Sequence, residues 1–213
     1  MIDLRRSVIL CAGAYAVGSI PFSNIAARVV AGVDLRRVGE GTVSGSGLFD
    51  VAGFRPLAVA GIGDVAKGAI GPLLSGSKHP GVAAATAAAA VAGHNWSPFL
   101  GGAGGRGISV GMGALAVRNW PGSIVLLAGP ALGRIIDQAG LGGFVADVAL
   151  VPILLRTRGW RGALAAVAVV VPMLAKRLTG NRAPHERSLA VYLHRLVLDS
   201  DPVSPSRQLQ AVG

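Results

Sequence analysis

Acidic side chains are scarce in this sequence: 10 Asp and Glu stand against 20 Lys and Arg in 213 residues, and charged residues of either sign make up only 14%. So thin a polar coat, with 52% hydrophobic residues and a mean hydropathy of +0.58, excludes an ordinary water-soluble domain. The single cysteine, Cys11, excludes an intrachain disulfide, and its place inside an apolar run marks it as packing. Aromatics amount to 5%, and the arginines lie scattered between apolar runs instead of alternating with aromatic rings. No platform for single-stranded nucleic acid is present, and no nucleic-acid partner is expected. Arg5, Arg6, Arg156, Arg158 and Arg161 instead suit helix ends facing anionic membrane lipids.

What the sequence has is long uncharged stretches. Residues 7–27 and 79–105 contain no Asp, Glu, Lys or Arg, and each meets the roughly 20-residue requirement for a membrane-crossing helix. Weaker apolar runs cover residues 51–74, 107–117, 121–136, 139–155 and 162–175. Ala and Gly dominate them, and small residues let membrane helices approach closely. A soluble, alanine-rich helical protein is the competing reading, but such runs would leave its helices without a solvated face. Arg5 and Arg6 ahead of an apolar run, with Ala14-Tyr15-Ala16 after it, also fit a cleaved signal peptide. The run continues past that point, so a signal anchor retained as the first helix is preferred. The expected fold is all-α: a polytopic transmembrane bundle of about seven helices, some short or broken. Residues 1–179 form the membrane domain and residues 180–213 a polar C-terminal extension. Within the extension Leu189, Tyr192, Leu193, Leu196 and Val197 recur at helical spacing, which suits a short amphipathic helix lying on the membrane. The last residues, from 199, read as a flexible tail.

Two glycine-rich loops carry the polar chemistry. Gly102, Gly104, Gly105 and Gly107 surround Arg106 just before an apolar run. Convergent backbone N–H groups, a helix start and a guanidinium together suit a phosphate, although a flexible interhelical turn has the same composition. The Gly-Lys-Ser/Thr ending of a nucleotide P-loop is missing. In the earlier loop Gly39, Gly41 and Gly45 alternate with Thr42, Ser44 and Ser46, with Arg36 and Arg37 upstream, a pattern suited to a second anionic group. A dinucleotide fingerprint is excluded because its third glycine position holds Ser44. Asp64 and Lys67 stand three apart on an expected helix, either as a functional pair or as a snorkelling lysine with its neutralising partner. His94 suits a general base, an anion donor or a helix cap. Trp96, Trp120 and Trp160 fit interfacial belts. Transport would rest on Asp147 and the Asp64–Lys67 pair alone, without a duplicated broken-helix pattern.

Taken together, "GSIPFS" at 18–23, "DLRRVGEG" at 34–41, "DVAKG" at 64–68, "GHNWSPFLGGAGGRG" at 93–107 and "KRL" at 176–178 resemble, in order, the bacterial acyl-phosphate:glycerol-3-phosphate acyltransferases, the PlsY family. The resemblance implies a multi-pass inner-membrane enzyme of phospholipid synthesis with its motif loops on the cytoplasmic side. It implies transfer of a fatty acyl group from acyl phosphate to glycerol 3-phosphate, with no cofactor and no metal. Its site would use Arg106 and His94 as catalytic residues. Substrate would be bound by Arg36, Gly39, Gly41, Thr42, Ser44, Ser46, Asp64, Lys67, Gly104, Gly105 and Gly107. Several positions depart from the family pattern. Glu40, Thr42, Ser46 and Gly47 stand in the first loop, with Asp50 in place of an arginine, and Arg106 replaces the loop lysine. "GLGG" at 140–143 lacks two serines, so serines at Gly140 and Gly143 would restore hydroxyl donors. Val171 and Leu174 fall where the family has His and Asn. These departures leave a second reading, a catalytically impaired paralogue that binds lipid precursors or partner proteins in the membrane.

Overall fold

The computed structural model describes residues 3–39 and 41–202; Glu40 and most of the expected tail lie outside the described residues. The described residues form α-helices and short 3-10 turns, with no strand among them. In chain order the helices are α1 (Leu4–Gly18), α2 (Phe22–Ala31), α3 (Gly45–Ala52), α4 (Phe54–Ser75), α5 (Pro80–Asn95), α6 (Ile108–Ala116), α7 (Trp120–Ile135), α8 (Ala139–Thr179) and α9 (Leu189–Leu198).

The uncharged runs are not single straight spans. The first is split between α1 and α2 because Pro21 has no N–H to donate and disfavours helical backbone at Ile20. The second is helical only to Asn95, after which it becomes the glycine loop. Three helical stretches, Leu4–Ala31, Phe54–Ser75 and Ala139–Thr179, are long and apolar enough to cross a membrane. The last of these joins two expected runs through Gly159, whose φ of +67° and ψ of −161° break the helix. The first loop is also shorter than expected, since Gly45, Ser46 and Gly47 already belong to α3.

Small residues set the packing. A Cβ on Gly68 would strike the Val110 carbonyl, and one on Gly113 would strike the Val65 carbonyl, so α4 and α6 cross backbone to backbone. Around that crossing Val91, Val110, Leu115, Leu126, Leu150, Leu154, Val169 and Met173 form the buried core. The crossing sets the N-terminus of α6 beside the polar face of α4. At the far end of the chain α9 docks on α8 through Val191 and Arg195, while Leu189 and Leu193 face outward. The apolar spacing expected for a surface helix is present, but the docked face is a different one.

Candidate active site

Helix α4 presents Asp64 and Lys67 on one face, both almost fully buried. Lys67 Nζ lies 2.7 Å from Asp64 Oδ1, 3.1 Å from His94 Nδ1, and donates to the Ile20 carbonyl at 2.6 Å. Ser23 Oγ donates to Asp64 Oδ2 at 3.4 Å. The break at Pro21 makes this possible, because it ends α1 and leaves the Ile20 carbonyl, which also accepts from the Phe22 N–H at 3.2 Å, within reach of Lys67. Lys67 is therefore not snorkelling; its ammonium is spent inside the bundle. An ammonium can only donate, so Nδ1 of His94 accepts and the ring proton sits on Nε2, against Gly105. In that tautomer His94 is a donor and not a general base.

The first loop is organised by Asp34. Its carboxylate takes Arg36 Nη2 and Arg28 Nη2, each at 2.6 Å, and its Oδ1 caps the 3-10 turn by accepting from Arg36 N–H at 3.1 Å. The Arg36 guanidinium holds this carboxyl well below the usual carboxylate range. Arg36 also donates through Nη1 to the Leu100 carbonyl at 3.3 Å, which ties the first loop to the second. Ser44 caps α3, its Oγ accepting from Gly47 N–H at 3.2 Å.

Between the loops, α6 and α7 lies a groove of about 700 Å³. Its head is lined by Gly39, Thr42, Ser44, Ser46, Asp64, His94, Arg106 and Gly107. Leu57, Met112, Leu126, Leu127 and Pro130 give it an apolar wall. The N-termini of both α3 and α6 open into the head, bringing uncommitted N–H groups and positive dipole ends. Of the residues expected to bind substrate, Arg36, Gly41, Lys67, Gly104 and Gly105 do not line the groove. They stand behind it. Gly104 and Gly105 are there because a Cβ would strike the carbonyls of His94 and Asn95 or the His94 ring.

Several site residues escaped the sequence reading. Ser109 lines the groove in the first turn of α6, and Arg134 faces Asp50 across the rim at 3.6 Å. Asn181 bridges the two loops, donating to the Gly41 and Gly104 carbonyls at 3.0 and 2.8 Å. Arg177 pairs with Asp147 at 3.2 Å and donates to the Gly140 carbonyl at 3.0 Å. Asp147 is thereby accounted for without a transport path. Arg106 is not alone either: Nε lies 2.8 Å from Asp199, beyond the end of α9, and Nη1 donates to the Lys176 carbonyl at 3.2 Å. Gly180-Asn181 after "KRL" was the signal available for Asn181. Nothing local announces Asp199, since its place depends on how α9 docks. Nor is there space for a side chain at Gly140, where a Cβ would run into the Leu198 carbonyl.

The sequence profile of the family described as glycerol-3-phosphate acyltransferase matches residues 8–182. A glycerol-3-phosphate acyltransferase of Synechococcus sp. is 34% identical over 193 residues, covering 88% of this chain and 94% of its own. One from Halalkalibacterium halodurans is 32% identical over 176 residues, 78% of this chain and 85% of its own. The crystal structure of PlsY, an integral membrane glycerol 3-phosphate acyltransferase in its glycerol 3-phosphate form, superposes with a TM-score of 0.72. That match covers 96% of this chain and 98% of PlsY at 21% identity, a likeness of fold. With its helical membrane architecture and a profile match running through both glycine loops, the chain belongs to the glycerol-3-phosphate acyltransferase family.

Proposed function

We propose that the protein transfers a fatty acyl group from acyl phosphate to glycerol 3-phosphate, yielding lysophosphatidate and inorganic phosphate. The observation that carries this reading is the groove. One wall is apolar enough for an acyl chain, and its head joins two helix N-termini, Arg106 and the His94 ring. An acyl phosphate is a mixed anhydride and needs little further activation. A glycerol hydroxyl adds to the acyl carbonyl carbon, the bond from that carbon to the phosphate oxygen breaks, and the hydroxyl proton leaves on the released phosphate. The protein's work is then to position two anions and to stabilise the oxyanion. Neutral His94, as a donor, and the N–H groups of α6 suit the second task; Arg106 suits the first.

Residues 1–179 act as the catalytic membrane domain in this reading, and residues 180–213 as an extension. The protein sits as a multi-pass protein in the bacterial inner membrane with the motif loops in the cytoplasm, where a soluble phosphorylated acceptor can reach them. Purified protein in detergent, given palmitoyl phosphate and labelled glycerol 3-phosphate, should form lysophosphatidate. Folded protein that makes none would instead favour the impaired, precursor-binding paralogue.

A further inference from the structure

We infer that Asp199 is a positioning residue for Arg106, an inference that rests on the acyl-transfer reading of the groove. Both carboxylate oxygens of Asp199 lie 2.8 Å from Arg106 Nε, and Nη1 is held by the Lys176 carbonyl at 3.2 Å. Two anchors at different corners fix the plane of a guanidinium. Nη2 has no partner among the described residues, and the side chain is only 11% exposed in the groove wall. The unspent Nη2 donors are thus left for a phosphate monoester, the group common to both substrates.

The backbone cannot supply this orientation. Arg106 sits between Gly105 and Gly107, and a guanidinium on four rotatable bonds would otherwise turn toward whichever anion is nearest. Asp199, by contrast, is delivered rigidly. It caps α9 in the left-handed region at φ +61°, its N–H donating to the Arg195 carbonyl, and α9 is tied to α8 by Arg177 Nη1 to the Leu196 carbonyl at 3.4 Å. The Arg195–Asp201 ion pair braces the segment that follows. Asp199 also lies beyond residues 8–182, the part the family profile matches, so the orienting group comes from the extension.

The test uses the full chain in detergent. Asp199→Gly removes the carboxylate while accepting a positive φ, and Asp199→Asn keeps an oxygen for the Nε proton and also tolerates that conformation. Thermal-stabilisation titrations give the Kd for glycerol 3-phosphate, steady-state assays give KM for each substrate, and size exclusion normalises to folded protein. Asp199→Gly should raise the Kd or KM for one phosphate substrate about tenfold or more. Asp199→Asn should stay within about threefold of wild type. The substrate affected identifies the phosphate that Arg106 holds. In an Arg106→Met background Asp199→Gly should add little, because methionine offers the carboxylate no donor to orient.

Tighter binding in both Asp199 variants would overturn the inference, since Asp199 would then be a competitor for Arg106. So would unchanged constants in Asp199→Gly, or an equal loss in the Arg106→Met background. An inactive wild type that binds glycerol 3-phosphate, weakened by Asp199→Gly, would overturn acyl transfer and leave the positioning role standing. An active wild type with an equally active Asp199→Gly would do the reverse. A wild type that neither binds nor turns over would overturn both.

Discussion

Asn181 and Gly104 exchange a reciprocal pair of hydrogen bonds, Oδ1 accepting from the Gly104 N–H at 3.0 Å and Nδ2 donating to the Gly104 carbonyl at 2.8 Å. The second proton of Nδ2 goes to the Gly41 carbonyl at 3.0 Å, so one amide ties the two glycine loops together behind the groove. Asn181→Ala should cost about 1–2 kcal/mol of stability, the worth of its partly exposed hydrogen bonds. Asn181→Asp should be worse, because a carboxylate would face two carbonyl oxygens without a proton to offer. Thermal unfolding in detergent, with kcat/KM beside it, checks the order. An aspartate variant as stable as wild type would remove Asn181 as the clasp.

Membrane orientation gives a second expectation. Tyr15 Oη donates to the Trp96 carbonyl at 3.0 Å, and Met173 lies beside Gly107, so α1 and the second half of α8 both run toward the site. Cytoplasmic loops would then place Arg5, Arg6 and the arginines of residues 156–161 on the opposite side, against the positive-inside tendency. After Cys11→Ser, a membrane-impermeant maleimide applied to spheroplasts should label Thr157→Cys and spare Arg37→Cys. The reverse pattern would turn the protein over in the membrane. Carbonate washing should leave every variant in the membrane fraction.

The bundle was legible because uncharged runs of membrane length have few other uses, and the two loops because glycine with hydroxyls or arginine is a distinctive composition. The division of labour within the site was not. Arg36 reads as an anion ligand until Asp34, two residues earlier, is seen to hold it. His94 left base and donor open until the Lys67 ammonium at 3.1 Å fixed its tautomer. Asp199 and Asn181 lie more than 70 residues along the chain from their partners Arg106 and Gly104, and only docking brings each pair together. Pattern and composition act locally; these pairings are tertiary.

Asp34 gives the loop a pH dependence of known sign. The Arg36 guanidinium depresses its folded pKa, so the stability it contributes is present above the ordinary aspartate value of about 3.9 and is lost as pH falls through the lower, folded value. Asp34→Asn keeps the oxygen that caps the 3-10 turn but removes the ion pairs with Arg36 and Arg28. The gap in Tm between wild type and variant should be small, as for other partly exposed pairs, and constant from pH 7 to about 5. It should close only in stronger acid. A gap that closes near neutrality would assign it to another group.

The family resemblance implies serines at the positions of Gly140 and Gly143, and restoring the hydroxyls is the repair it suggests. The packing argues that the two positions differ. A Cβ at Gly140 meets the Leu198 carbonyl, which is backbone and cannot swing aside without lifting α9. At Gly143 the nearest atom is Nη2 of Arg177, the tip of a long side chain, although Asp147 at 3.2 Å and the Gly140 carbonyl at 3.0 Å limit its movement. Gly140→Ser should therefore lower Tm and reduce lysophosphatidate formation per folded protein, because displacing α9 also withdraws Asp199 from Arg106. Gly143→Ser should cost less, its hydroxyl able to accept from the displaced guanidinium. The double variant should follow Gly140→Ser and lose turnover instead of gaining it. Higher turnover in the double variant would mean that α9 can leave Gly140 without harm, and that hydroxyls at these two positions do assist turnover.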